Sequence, residues 1–456
     1  MKYISTRGKT DSLSFQESVM MGLAPDKGLL IPDHIPSVYN HLNEWKNLSF
    51  QELALEIISL FADDIPRNDL KSIIDKSYKS FRKEEITPVI SVNNLHVLEL
   101  FHGPTLAFKD LALQFLGNVF SYILDKQGGC LNILGATSGD TGSAAIAGVR
   151  NKPNINIFIM HPVGRISPIQ EKQMTSVLDE NVFNIGIDGT FDDCQYIMKS
   201  TFADLEFKNK NSLGAINSVN WARILAQIVY YFYAALSVMK TTGSDKIRFS
   251  VPTGNFGNIF AGYIAYKMGL PIEQLILATN ENDILTRFFT KGDYSIKEVV
   301  PTLSPSMDIQ QASNFERYLY FSHTDKEKFF QNDSFFKLGE YRISKKINQK
   351  IDNMFTAHRG TSEQTMMLIR KYKEKFNYLL DPHTALGVLA AENNLSYTPT
   401  ICLATAHPAK FNDTMKKTIG QDIIHPILDA VKDAPTKCKN ISNDINAVKD
   451  YIVENL

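Results

Sequence analysis

Three stretches of the chain carry residue types that can do chemistry together. In HGPTLAFKD (102–110), Lys109 stands between Phe108 and Asp110 at the opening of the apolar run LALQFLGNVF. A lysine at a helix start ordinarily sends its ammonium to solvent along an apolar stem. Held away from water, the same group gives up its proton more readily and becomes an amine suited to Schiff-base chemistry. The second and third stretches are GATSGDTG (135–142) and PTGNFGN (252–258), each placed after a β-rich run and before a helical one. Small residues let a ligand approach the backbone, and hydroxyls with the free N–H groups of a helix start make an anion site. Either loop alone could be only a tight βα connection; two of them beside a reactive lysine point further. The P-loop lysine and the G-x-G-x-x-G spacing are both absent, so a nucleotide is not indicated. A reactive lysine plus a phosphate cradle suggests pyridoxal phosphate.

The elements that must position these loops alternate in kind. β-rich runs occur at 131–135, 155–160, 182–187, 247–252, 275–279 and 400–404, with helical stretches at 111–124, 142–149, 191–207, 221–240, 257–268 and 384–392. This alternation predicts an α/β fold with mostly parallel sheets covered by helices. In such folds ligands bind beyond the carboxyl ends of strands. Ahead of it, residues 49–81 have apolar positions three and four apart, which predicts two helices. We divide the chain into an N-terminal helical cap unit (1–95), a smaller α/β subdomain with Lys109 and the GATSGDTG loop (96–220), and a larger α/β subdomain (221–456) with an insertion at about 280–375.

Composition narrows the class. Of 456 residues, 44 % are apolar and 21 % charged, and the formal net charge is −1, so no surplus charge recruits nucleic acid or an anionic membrane. The four cysteines (Cys130, Cys194, Cys402, Cys438) form no C-x-x-C pair, which speaks against a zinc site and for a reducing compartment. The N-terminal residues lack the apolar region of a secretory signal, and the apolar run 224–239 is short for a membrane span. The expectation is a soluble cytoplasmic enzyme that contains no metal.

HGPTLAFKD, GATSGDTGSAA, VPTGNFGN and LATAHPAKF, in that order, resemble the threonine synthase family among fold type II pyridoxal-phosphate enzymes, whose fold is tryptophan synthase β-like. STRG (5–8), GLAPDKGLLIP (22–32), HPVGRISPIQEKQM (161–174), NSVNWARILAQIVYY (217–231) and TLSPSMDIQQASNFER (302–317) are similar to the longer class of that family. One departure is Lys27, where the family's turn has glycine.

The resemblance implies a conversion of O-phospho-L-homoserine and water to L-threonine and phosphate, by a monomer or homodimer. It implies that Lys109 bonds the cofactor aldehyde and shuttles protons. Thr253, Gly254, Asn255, Phe256, Gly257 and Asn258 would hold the cofactor phosphate, and Thr405 would face the pyridine nitrogen, although a cap on the turn after TICLA serves that hydroxyl equally well. Thr137, Ser138, Gly139, Asp140 and Thr141 would receive the substrate carboxylate, with Asp140 near the cofactor's phenolic oxygen. Arg165, Lys172 and Arg223 are the cations for the substrate phosphate, arginine being the better match to its geometry. His102 is either a pocket residue or a satisfied histidine beside a turn.

Overall fold

The computed structural model describes residues 1–137, 139–323 and 352–456, and the backbone of 340–342. Ser138 and, in the insertion read at about 280–375, residues 324–339 and 343–351 lie outside the described residues. Two sheets organise the rest. The larger has six strands in the order Phe355–Arg359, Ile272–Thr279, Ile247–Pro252, Thr400–Ala404, Leu95–Glu99 and Val89–Val92. All neighbours are parallel except the last pair, a hairpin. The smaller sheet is wholly parallel, in the order Lys439–Ile441, Val182–Ile187, Ile155–Pro162, Leu131–Ala136 and Leu213–Gly214.

Helices cover both faces of these sheets, so a central strand must be apolar on both sides. That is why Ile247–Pro252 and Thr400–Ala404 are buried at every position, Arg248, Ser250 and Thr400 included. The helix Trp221–Thr242 packs against Phe50–Ser59, Lys109–Gln127 and Gly257–Lys267 and is buried along most of its length. Among the described residues it is the one helix long and apolar enough to cross a membrane, and here it forms the centre of the core.

Two helices do form in the N-terminal unit, Phe50–Ser59 and Arg67–Tyr78, the first opened by a capping box between Ser49 and Glu52. Lys27 keeps the turn that glycine would make by taking a left-handed conformation, φ 64°. A fully buried arginine, Arg317, ties this unit to the core by donating to the carbonyls of Leu30 (2.7 Å) and Val219 (2.6 Å).

Sheet pairing corrects the segment boundaries. The cut at 95/96 falls inside the hairpin Val89–Val92/Leu95–Glu99, and both strands belong to the larger sheet. The chain's end leaves the larger subdomain: Lys439–Ile441 pairs with Val182–Ile187, and the helix Ile445–Glu454 packs on Phe191–Ala203. The helical stretch 191–207 is two helices, Phe191–Ala203 and Leu205–Lys210, divided where Asp204 accepts from the Phe207 amide (3.0 Å). For the site, the main consequence of the topology is that residues 101–108, 137, 139, 253–256 and 405–407 all follow the carboxyl ends of parallel strands.

Candidate active site

Lys109 begins the helix Lys109–Gln127, and the segment before it is clamped from two sides. The Phe108 amide donates to the Thr405 carbonyl (2.8 Å) and the His407 amide to the Leu106 carbonyl (3.0 Å), so the two segments run as a short antiparallel pair. Leu106 takes a left-handed φ of 64°, held by this pairing. Just inside the helix, the buried Asp110 accepts from the Thr105 amide (2.8 Å) and hydroxyl (2.6 Å). Burial pushes its carboxyl up to about 6, against the pull of those two hydrogen bonds.

The Lys109 ammonium reaches a cavity where its neighbours are Ser306 Oγ (3.5 Å) and Asp140 Oδ2 (3.8 Å). Burial lowers its affinity for a proton, Asp140 opposes that, and Lys410 and Arg223 add to it. A desolvated amine is the kind that covalent chemistry requires. Asp140, first residue of the helix Asp140–Val149, is itself buried. Burial alone would raise its carboxyl, but Lys410 and Lys109 outweigh that and hold it well below the usual carboxylate range. Lys410 Nζ also donates to the Thr105 carbonyl (2.8 Å), and Gln170 Nε2 donates to Asp140 Oδ1 (2.8 Å).

Facing Lys109 is the loop between the strand Ile247–Pro252 and the helix Gly257–Lys267, and residues 253–258 all line the cavity. Phe256 turns the loop with φ 63° and sinks its ring among Phe289, Phe315, Tyr318 and Phe355. At Gly254 a Cβ would lie 2.6 Å from the Ser306 carbonyl oxygen, so only glycine fits there. Asn258 Oδ1 accepts from the hydroxyls of Tyr230 (2.6 Å) and Tyr231 (2.9 Å), while its Nδ2 is buried with no partner among the described residues.

Arg223 completes the wall. It is 5 % exposed, and its Nε and Nη1 have no hydrogen-bond partner among the described residues. Burial brings its guanidinium down to about 10. The orphaned Asn258 amide and the helix N-terminus at the end of a glycine-containing loop are free donors suited to the cofactor's phosphate group, and the Arg223 guanidinium stands apart from that loop as a further unpaired cation. The residues present thus fit pyridoxal phosphate, with Lys109 for its aldehyde and the 253–258 loop for its phosphate.

Of the other residues singled out in the sequence, Thr141 and Thr405 line the same cavity. Thr137 does not: its hydroxyl oxygen accepts from the amides of Gly139 (3.0 Å) and Gly142 (2.9 Å) and so braces the loop. Arg165 is exposed on the turn after Ile155–Pro162, and Lys172 donates to the Ala434 carbonyl (3.1 Å); neither joins Arg223 at the cavity. His102 lies against Glu99 (2.8 Å), outside it.

Three residues at or against the cavity were not singled out. Lys410 and Ser306 stand within strings that carry the resemblance, yet nothing in their spacing assigns them a role. His383 leaves no sequence signal beyond the Asp-Pro that starts its helix. In the fold its Nδ1 lies 3.0 Å from Asp381 Oδ1 and its Nε2 accepts from the Ser306 amide (3.3 Å), which fixes the tautomer.

Comparison with known proteins gives the family. Residues 2–78 match the family described as threonine synthase N terminus, 82–327 the pyridoxal-phosphate dependent enzyme family, and 384–452 the family described as threonine synthase, C-terminal. The chain is 45 % identical to a threonine synthase of Saccharomyces cerevisiae, over 100 % of this chain and 98 % of that protein. Its structure superimposes on a crystal structure of PLP-bound threonine synthase from Brucella melitensis with a TM-score of 0.95, at 43 % identity, covering 100 % of this chain and 99 % of that one. The yeast threonine synthase crystal structure gives 0.93 at 44 % identity, covering 100 % and 98 %.

Proposed function

The chain belongs to the threonine synthase family of pyridoxal-phosphate enzymes, and from that premise we propose that it converts O-phospho-L-homoserine and water to L-threonine and inorganic phosphate. The observation that carries the substrate is Arg223: a buried guanidinium without a partner, on the wall of the cavity that holds the Lys109 amine. An elimination on serine or threonine itself would leave that cation with nothing to bind, whereas a substrate phosphate supplies a bidentate acceptor.

Pyridoxal phosphate, when bound, supplies the electron sink that makes the substrate's Cα and Cβ hydrogens acidic. The protein's residues do the rest. Lys109, desolvated and so able to act as a base, takes the proton from Cα and then from Cβ, and gives one back at Cγ once phosphate has left that carbon. Water adds at Cβ. Asp140 keeps the amine oriented, and Lys410 keeps Asp140 ionised. Thr405, on the cavity wall, would meet the ring nitrogen as a neutral donor, which would moderate the sink compared with a carboxylate partner. The hydroxyl of Thr141 and the amides at the start of Asp140–Val149 receive the substrate carboxylate. Arg223, placed to hold the phosphate that leaves, stabilises charge where it develops. We place the enzyme in the cytoplasm, as a monomer or homodimer.

Phosphate release and product identity from phosphohomoserine test this reading. Equal amounts of phosphate and L-threonine are expected, with both lost in Lys109→Ala together with the visible absorbance of the holoenzyme. A 2-oxo acid in place of threonine, or substantial turnover by Lys109→Ala, overturns it.

A further inference from the structure

A second cavity, of about 580 Å³, shares no lining residue with the first yet borders the same two segments. His407 lies on its wall, next in sequence to Ala406 of the first cavity, and its amide bonds the segment that leads to Lys109.

This cavity is lined by hydrogen-bond donors that have no acceptor in common. The rings of His407 and His425 meet edge to face, 4.7 Å between centroids. Each ring's Nδ1 accepts a backbone N–H two residues on, from Ala409 (3.2 Å) and from Ile427 (3.2 Å). With Nδ1 used as an acceptor, the ring proton of each neutral imidazole sits on Nε2 and is available to donate. Arg82 is fixed in the same wall by donating to the carbonyls of Gly103 (2.7 Å) and Phe101 (3.0 Å), and Lys83 follows it.

Among the described lining residues, Glu99 is the one carboxylate, and both its oxygens are engaged, by His102 Nε2 (2.8 Å) and by the Tyr378 hydroxyl (2.8 Å). The crowding of like groups is felt at His407. Burial, then His425, Arg82 and His102, bring its ring down to about 4, against the opposing pull of Asp381. Donors that repel one another and share no acceptor form a receptor that an anion completes. Donors on several sides suit a tetrahedral dianion better than a planar carboxylate. Phe101, Leu379 and Ile423 supply an apolar wall beside them.

We propose that this cavity binds the phosphate group of a small phosphorylated molecule, or free phosphate, between the Nε2–H groups of His407 and His425 and the cations Arg82 and Lys83. Binding there acts on the backbone pair that also carries Lys109 and Thr405.

The experiment is a pH titration of the ten histidines in 15N-histidine-labelled holoenzyme, with His407→Gln and His425→Gln assigning the two rings. Inorganic phosphate is expected to raise the titration midpoints of both rings and to bind more tightly as pH falls. Lys83→Met should weaken that response roughly tenfold while leaving the holoenzyme's visible absorbance unchanged. Phenyl phosphate that binds more tightly than inorganic phosphate identifies an organic phosphate as the ligand class; equal affinity identifies free phosphate. Midpoints that phosphate does not move, midpoints that chloride moves equally, or full phosphate affinity in a Lys83→Met, His425→Gln double variant would overturn the site.

Discussion

Lys410 Nζ lies 2.9 Å from Asp140 Oδ1, and neither side chain is more than 5 % exposed. This pair lies beside the Lys109 amine, so the charge next to that nitrogen is held by a lysine 301 positions away in sequence. Removing one member of a buried pair strands the other.

Lys410→Met is therefore expected to cost about 3–5 kcal/mol of stability, measured by urea unfolding. A Lys410→Met, Asp140→Asn double variant should recover most of that loss, since neither member of this pair is left buried without the other. If the double variant is as unstable as the sum of the single ones, the pair is not coupled.

Gly254→Ala places a methyl group 2.6 Å from the Ser306 carbonyl oxygen. The loop must shift, and we expect cofactor affinity to fall by roughly ten- to a hundredfold, read by titrating the apoenzyme with pyridoxal phosphate. Unchanged affinity would show that residues 253–258 do not hold the cofactor.

Arg223→Met separates function from stability. A buried cation without a partner destabilises the free protein, so the variant should unfold at higher urea, by about 1–4 kcal/mol. Its kcat/KM for phosphohomoserine should fall by roughly two orders of magnitude or more, with Arg223→Lys intermediate because an ammonium cannot bind bidentately. Loss of activity without gain of stability would mean that the guanidinium is satisfied in the free enzyme.

Asp110 gives the protein a stability term that runs opposite to most carboxylates. Its carboxyl rises from 3.8 to about 6 on folding because it is buried. The folded state thus favours the protonated form. The contribution is full below the unfolded value and is lost as pH rises through about 6, a change of roughly 3 kcal/mol. Asp110→Asn should remove this part of the slope between those two values, seen as a difference in unfolding free energy between the variant and the parent across that range.

The sequence by itself determined the parts. Short β-rich runs such as IRFSVP and TICLA, alternating with helical stretches, read as strands of a mostly parallel sheet, and glycine- and hydroxyl-rich connections after them read as loops at one end of it. Lys109 and the loop 253–258 were legible for that reason, since a helix start after a strand is a local feature. What the tertiary structure decided is which distant groups meet. Arg165, Lys172 and Arg223 read alike as cations near small residues, but only Arg223 lies on a helix buried in the core, where its guanidinium ends at the cavity. Lys410 reads as one more lysine after a proline until the fold brings it to Asp140. Likewise, Lys439–Ile441 joins the smaller sheet through pairing across some 250 residues, and no local pattern marks it. Local periodicity reports which face of an element is apolar; it carries no information about which other element covers that face, and the chemistry here depends on that second choice.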